Sequence, residues 1–97
     1  MAEVNVLNQD ELKLELNDVP EWEHKDKSII RELSAANFAG AVGIVNAIAI
    51  VAEKADHHPD ILIYGWNKVR ITLSTHDKGG LTKKDFELAK EIDNLNF

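Results

Sequence analysis

The stretch from Phe38 to Ala52 constrains this chain most, because Asn46 is its only strongly polar side chain. No proline interrupts it, and Pro59 lies just beyond, disfavouring the α region for the residue that precedes it. A helix from Ala35 to about Ala55 is predicted, with Ser34 as its amino-terminal cap. A helix apolar nearly all round must be buried on more than one side. One face, Phe38, Val42, Val45, Ala49 and Ala52, is expected to line the domain core. Ile44, Ala47, Ile48 and Val51 are expected to meet a second subunit, with Gly40 and Gly43 allowing backbones to approach closely. An apolar run broken by Asn46 and two glycines falls short of the roughly 20 residues that a membrane span needs, so no membrane partner is expected.

Local signals place the other elements. Asn8 or Asp10 can cap a short helix to about Leu16, although Leu12, Leu14 and Leu16 also alternate as a strand would. Asn17 to Pro20 is a break, after which Glu21–His24 and Ser28–Leu33 read as short strands around a polar turn, Ile29 and Leu33 facing inward. Beyond Pro59 come a strand Ile61–Tyr64, a turn Gly65-Trp66-Asn67 and a strand Val69–Thr75. In the last, Val69, Ile71 and Leu73 alternate with Arg70, Thr72 and Ser74, the period of a sheet with one buried face. The same parity puts Ser74 and His76 on the opposite face. Asp77 to Gly80 is a turn whose two glycines are free to take positive φ. Thr82-Lys-Lys-Asp85 resembles a capping box opening a helix from Lys83 to about Asn94, with Phe86, Leu88, Ala89, Ile92 and Leu95 apolar. The order α-β-β-α-β-β-α predicts an α+β domain, a four-stranded antiparallel sheet with helices packed on one face. Residues 1–97 form one domain in this reading, with 1–6 a loose end.

Charge and cysteine content narrow the function. Eleven basic and seventeen acidic side chains give a net charge of −6, which repels phosphate backbones and argues against direct nucleic-acid binding. The chain has no cysteine, so disulfides and cysteine-ligated metal sites are excluded. Its amino terminus carries no secretory pattern, and a cytoplasmic location is expected.

The chemistry-bearing stretch is Glu53-Lys-Ala-Asp56-His57-His58-Pro59, where the long helix must stop. His76 closes the strand that ends at Thr75, and Asp85 opens the last helix. Histidine exchanges a proton near neutral pH, its ordinary pKa being about 6.5, so three of them beside carboxylates suit acid/base work. Plainer readings exist: His57 and His58 can cap helix carbonyls, Asp85 can serve only as a cap, and Trp22 and Trp66 can serve only in packing. Histidines with Glu53 and Asp85 could also ligate zinc, but the spacings of common zinc sites are absent.

The spaced pattern Glu53, His57-His58-Pro59, Trp66, His76 and Asp85, with Asn67-Lys-Val-Arg-Ile-Thr-Leu-Ser-Thr-His76 and Gly80-Leu-Thr-Lys-Lys-Asp85, resembles the pterin-4a-carbinolamine dehydratase family from about Trp22 onward. The resemblance implies loss of water from 4a-hydroxytetrahydropterin to give quinonoid dihydropterin, in recycling of a tetrahydrobiopterin-type cofactor. The pterin is then the substrate, and no cofactor or metal is implied. By the same resemblance His57, His58, His76 and Asp85 form the catalytic set. His57 and His76 are its acid/base candidates, His58 mainly binds, and Asp85 supports His76 or the charge of the site. Glu53 and Asp56 would hold imidazole or pterin groups. Pro59 and Trp66 would border the ligand, Tyr64 being the other candidate aromatic. The backbone of Ser74, Thr75, His76 and Asp77 would bind the polar edge of the heterocycle. Family members also assemble through sheet edges and the central helix, implying a homodimer or homotetramer. Some act instead as dimerisation cofactors or auxiliaries of other proteins, the alternative function. The chain departs from the pattern in having few aromatics between Ser34 and Val45 and in carrying Lys84 where arginine is common.

Overall fold

The computed structural model describes residues 5–97. In chain order the elements are α1 (Gln9–Asp18), β1 (Glu23–Lys25), β2 (Ser28–Ser34), α2 (Phe38–Ala55), β3 (Asp60–Tyr64), β4 (Lys68–Leu73), a 3₁₀ turn (His76–Lys78) and α3 (Lys83–Asp93). The expected α+β order is the observed one. All strand pairs are antiparallel, in the order β1-β2-β4-β3, so β4 fills the gap between β2 and the edge strand β3. Its inward residues Val69, Ile71 and Leu73 are fully buried beneath the helices, together with Ile29, Ile48 and Phe86. The period-two pattern in β4 therefore sets which face of the sheet is covered.

Residues 9–18 are helical rather than extended because Asn8 and Glu11 close a reciprocal capping box, each side chain accepting from the other's backbone N–H at 2.9 Å. β1 begins two residues later than expected, since the Trp22 N–H turns back to the Val19 carbonyl. Ser34 is not the cap of α2. It is the last residue of β2, paired with Lys68, and the Ala35 N–H bonds to the Asn67 carbonyl, so the backbone stays with the sheet to that point. Asn37 takes the capping role, its side chain accepting from the Gly40 N–H at 2.7 Å.

Which face of α2 is buried also differs from expectation. Ala41, Ile48 and Ala52 are buried and Ile44, Val45 and Val51 are partly covered, whereas Phe38, Val42 and Ala49 are exposed. An apolar pattern that runs all round the helix cannot fix its rotation, and Ile48 belongs to the domain's own core. A side chain at Gly43 would meet nothing within 4 Å, so among the described residues no other backbone packs against it. At the other end, residues 1–4 of the expected loose end lie outside the described residues. Val6 rests on Gly80, where an added Cβ would come within 2.9 Å of it, and the Leu7 N–H bonds to the Leu81 carbonyl at 2.9 Å. Of the two glycines in the Asp77–Gly80 turn, Gly79 takes positive φ, at 72°, and Gly80 does not.

Candidate active site

Three segments converge at one end of the sheet: the loop after α2, the residues that follow β4, and the first turn of α3. The first is shaped by how α2 ends. Asp56 adopts the left-handed conformation (φ 52°), its N–H bonds to the Glu53 carbonyl at 3.1 Å, and the His57 N–H reaches the Ala52 carbonyl at 3.2 Å. This pair of bonds closes the helix and turns the chain sharply, which directs His57 back toward α3. Pro59, half-buried, then leads into β3.

His57 meets Asp85, with 2.6 Å between Nε2 and Oδ1; the imidazole side chain is 11% exposed and the carboxylate fully buried. The other carboxylate oxygen of Asp85 accepts from Thr75 Oγ1 at 2.8 Å and from the Thr82 N–H at 3.0 Å. The amino-terminal end of α3, with its partial positive charge, faces the same carboxylate. Thr82 Oγ1 lies 2.8 Å from Thr75 Oγ1. Thr75, Thr82 and Asp85 thus form one buried network in which no side-chain polar atom lacks a partner among the described residues. The resemblance has Asp85 support His76 or the charge of the site; in the structure its direct partner is His57, because the turn at Asp56 brings that ring over the α3 terminus.

The other two histidines are less constrained. His58 contacts Glu53 at 2.9 Å, but both side chains are mostly exposed, an arrangement worth little in water. His76 is exposed at the start of the 3₁₀ turn, beside exposed Asp77. The Ser74 hydroxyl approaches its Nε2 at 3.3 Å and Nδ1 at 3.5 Å, both longer than a well-formed hydrogen bond. Since Thr75 bonds Asp85 and Asp85 bonds His57, the network ties His76 to His57 through the residue that precedes it. Asp56 is exposed at the turn it creates.

Trp66 does not join this cluster within the chain. The β3–β4 register pairs Asp60 with Thr72 at the histidine end and Tyr64 with Lys68 at the far end, so the hairpin carrying Trp66 lies more than about 13 Å away along the strands. Tyr64 is committed elsewhere. Its hydroxyl donates to Glu32, and the Arg70 guanidinium sits 5.0 Å from its ring centroid. The Glu32 hydrogen bond and charge hold the Arg70 guanidinium above its ordinary pKa. Thr82 is a member of the network that sequence reasoning treated only as a cap. Among the described residues, no three histidine, aspartate or glutamate side chains gather as a metal site would require.

The small α+β domain thus carries a buried carboxylate–histidine pair at the end of its central strand, with His58 and His76 on the adjoining segments, all groups able to exchange protons near neutral pH. Residues 5–95 match the family model described as pterin 4 alpha carbinolamine dehydratase. A protein of Picosynechococcus sp. that carries the name pterin-4-alpha-carbinolamine dehydratase provisionally is 47% identical over 92% of this chain and 96% of its own length. One of Aquifex aeolicus with the same provisional name is 41% identical over 95% and 92%. Among solved structures, a transcriptional coactivator/pterin dehydratase from Brucella melitensis superposes with a TM-score of 0.87 at 30% identity, covering 96% of this chain and all of that one. A pterin dehydratase-like protein described as a RuBisCO assembly factor shares the fold, with a TM-score of 0.60 over 76% of this chain and 84% of its own at 23% identity. The chain belongs to the pterin 4 alpha carbinolamine dehydratase family.

Proposed function

We propose that this protein dehydrates 4a-hydroxytetrahydropterin to quinonoid dihydropterin, in recycling of a tetrahydrobiopterin-type cofactor. The reaction breaks the carbon–oxygen bond at the 4a position and removes a proton from a ring nitrogen. The nitrogen's bonding pair forms the new carbon–nitrogen double bond, and the oxygen departs as water after taking up a proton. No electron is exchanged with a second reactant, so a proton donor and a proton acceptor suffice. The observation that carries the proposal is the 2.6 Å contact of His57 with fully buried Asp85, which holds the ring in one orientation beside the strand that delivers His76. His57 and His76 divide the proton transfers. His58 binds with Glu53 and Asp56 nearby, and the backbone from Ser74 to Asp77 offers polar atoms to the heterocycle.

Assay of carbinolamine decay, with and without the protein, tests this. Turnover should fall about 10²- to 10⁴-fold in His57→Ala and in His76→Ala, the scale of a lost general acid or base. Decay no faster with the protein than without it, or full turnover in both variants, would end the proposal.

A second reading draws on the open face of α2. Phe38 is 58% and Ile50 70% exposed on this apolar helix. Such a patch marks an interaction surface. Self-association there into a dimer or tetramer is part of the proposal. A non-catalytic binding role through the same face is the alternative, supported by the coactivator description of the Brucella relative.

A further inference from the structure

The hydrogen bonds behind Asp85 have a direction that ends on Oδ2 of its carboxylate, whose other oxygen faces the ring of His57. Thr75 Oγ1 gives its one proton to Asp85 Oδ2, so the proton between the two threonine hydroxyls comes from Thr82, toward whose oxygen the Lys84 N–H points across a long 3.3 Å. The two hydroxyl oxygens lie 2.8 Å apart. Thr75 reaches Asp85 Oδ2 at 2.8 Å, where the Thr82 N–H also arrives at 3.0 Å. With two donors aimed at it, Oδ2 has no room for a proton of its own. The remaining oxygen, Oδ1, faces His57 Nε2. Thr75, Thr82 and Asp85 are all buried, which sets this sequence of donors apart from bulk solvent.

The other ring nitrogen of His57 is in the opposite situation. Among the described residues Nδ1 has no hydrogen-bond partner, yet no partnerless side-chain nitrogen or oxygen is buried. Nδ1 therefore reaches the surface from a side chain that is only 11% exposed.

We propose that Thr82 and Thr75 are positioning residues which, through an acceptor-only Asp85, hold His57 as the Nε2–H tautomer and make Nδ1 the ring atom that meets the ligand. This rests on the dehydratase reading for its consequence in turnover, though not for its geometry. In that reaction neutral His57 takes a proton at Nδ1 while Nε2–H stays on Asp85. A capping box that would ordinarily only start a helix thus also selects which nitrogen does the chemistry.

The tautomer is read directly from long-range proton–nitrogen NMR spectra of the ¹⁵N-labelled protein at a pH where His57 is neutral. The expected result is a protonated, pyrrole-type Nε2 and an unprotonated, pyridine-type Nδ1; the reverse assignment in the unmodified protein overturns the inference. Thr75→Val and Thr82→Val each break the chain of donors and should give mixed tautomers, whereas Thr75→Ser restores the wild-type spectrum. In kinetics the valine variants should lose about tenfold in kcat, the scale of one hydrogen bond, with KM changed less than about twofold. Valine variants that keep the wild-type tautomer would remove the threonines from the role. The spectra need no turnover, so absence of dehydration would count against the proposed function alone, and a wrong tautomer in an active enzyme would count against this inference alone.

Discussion

The indole nitrogen of Trp22 donates to the Asp93 carboxylate at 2.9 Å, joining residues 71 positions apart. Arg31 from β2 bonds the same carboxylate oxygen, so the entry to the edge strand β1 and the middle of β2 are both held to the end of α3. Trp22 is 5% exposed, so its loss combines a cavity with a broken hydrogen bond. Trp22→Phe should cost about 1 kcal/mol, the net value of one hydrogen bond. Trp22→Ala should cost about 3 to 5 kcal/mol. Urea unfolding of the two variants checks the split; equal losses would mean that the indole nitrogen contributes nothing.

The two isoleucines of α2 make separate demands. Ile48 is fully buried inside the domain, so Ile48→Glu should unfold it, an unpaired buried charge costing several kcal/mol. Ile50 is 70% exposed, and Ile50→Glu should leave the fold intact while dissociating the proposed oligomer. Sedimentation and circular dichroism of both variants distinguish these effects. An unmodified protein that sediments as a single chain, or that partitions into detergent micelles, would show that α2 has no copy of itself as partner.

Asp56 and Trp66 adopt left-handed backbone conformations, at φ 52° and 61°. This region costs a residue with a Cβ about 1 to 2 kcal/mol, less for aspartate, whose short polar side chain is tolerated there. Asp56→Gly should therefore stabilise the domain by up to about 1 kcal/mol, or roughly 4 to 8 °C in Tm. Trp66→Asn should be neutral or stabilising, because the indole is 64% exposed and little packing is lost. A fall in Tm for either variant would show that the native side chain makes a compensating contact. A fall in turnover with unchanged Tm would assign that side chain to binding.

Turnover should survive exhaustive chelation, since the proposed reaction needs only proton carriers. Elemental analysis finding about one zinc per chain, with turnover lost on its removal, would replace proton transfer by histidine with metal-assisted chemistry.

Signals local in sequence translated well into structure. The alternation of β4, the Thr82–Asp85 capping box and the histidines at the end of α2 depend on neighbours within a few residues, and each stands where the pattern placed it. Readings that depend on rotation or distance did not carry over. An all-apolar α2 says nothing about which stripe is buried, so Ile48 was assigned to a partner and Phe38 to the core. The partner of Asp85 depends on a left-handed aspartate at position 56, which no periodicity announces. Trp66 stands at a fixed spacing from Pro59, but a five-residue strand between them carries it to the opposite end of the hairpin.

β4, the strand that joins β2 to β3, is also the last strand to leave the ribosome. Its register ties Ile29 to Leu73, so the sheet cannot close until both are outside the exit tunnel. From Ser34 to Leu73 the ribosome adds 39 residues, which at about 5 to 20 residues per second takes roughly 2 to 8 s. During that interval the most apolar helix of the protein and then β3 are added to β1 and β2 with no central strand to organise them. Yield during synthesis is therefore governed by what shelters α2 in those seconds, and a mutation can spare the finished fold while lowering the amount of protein that reaches it.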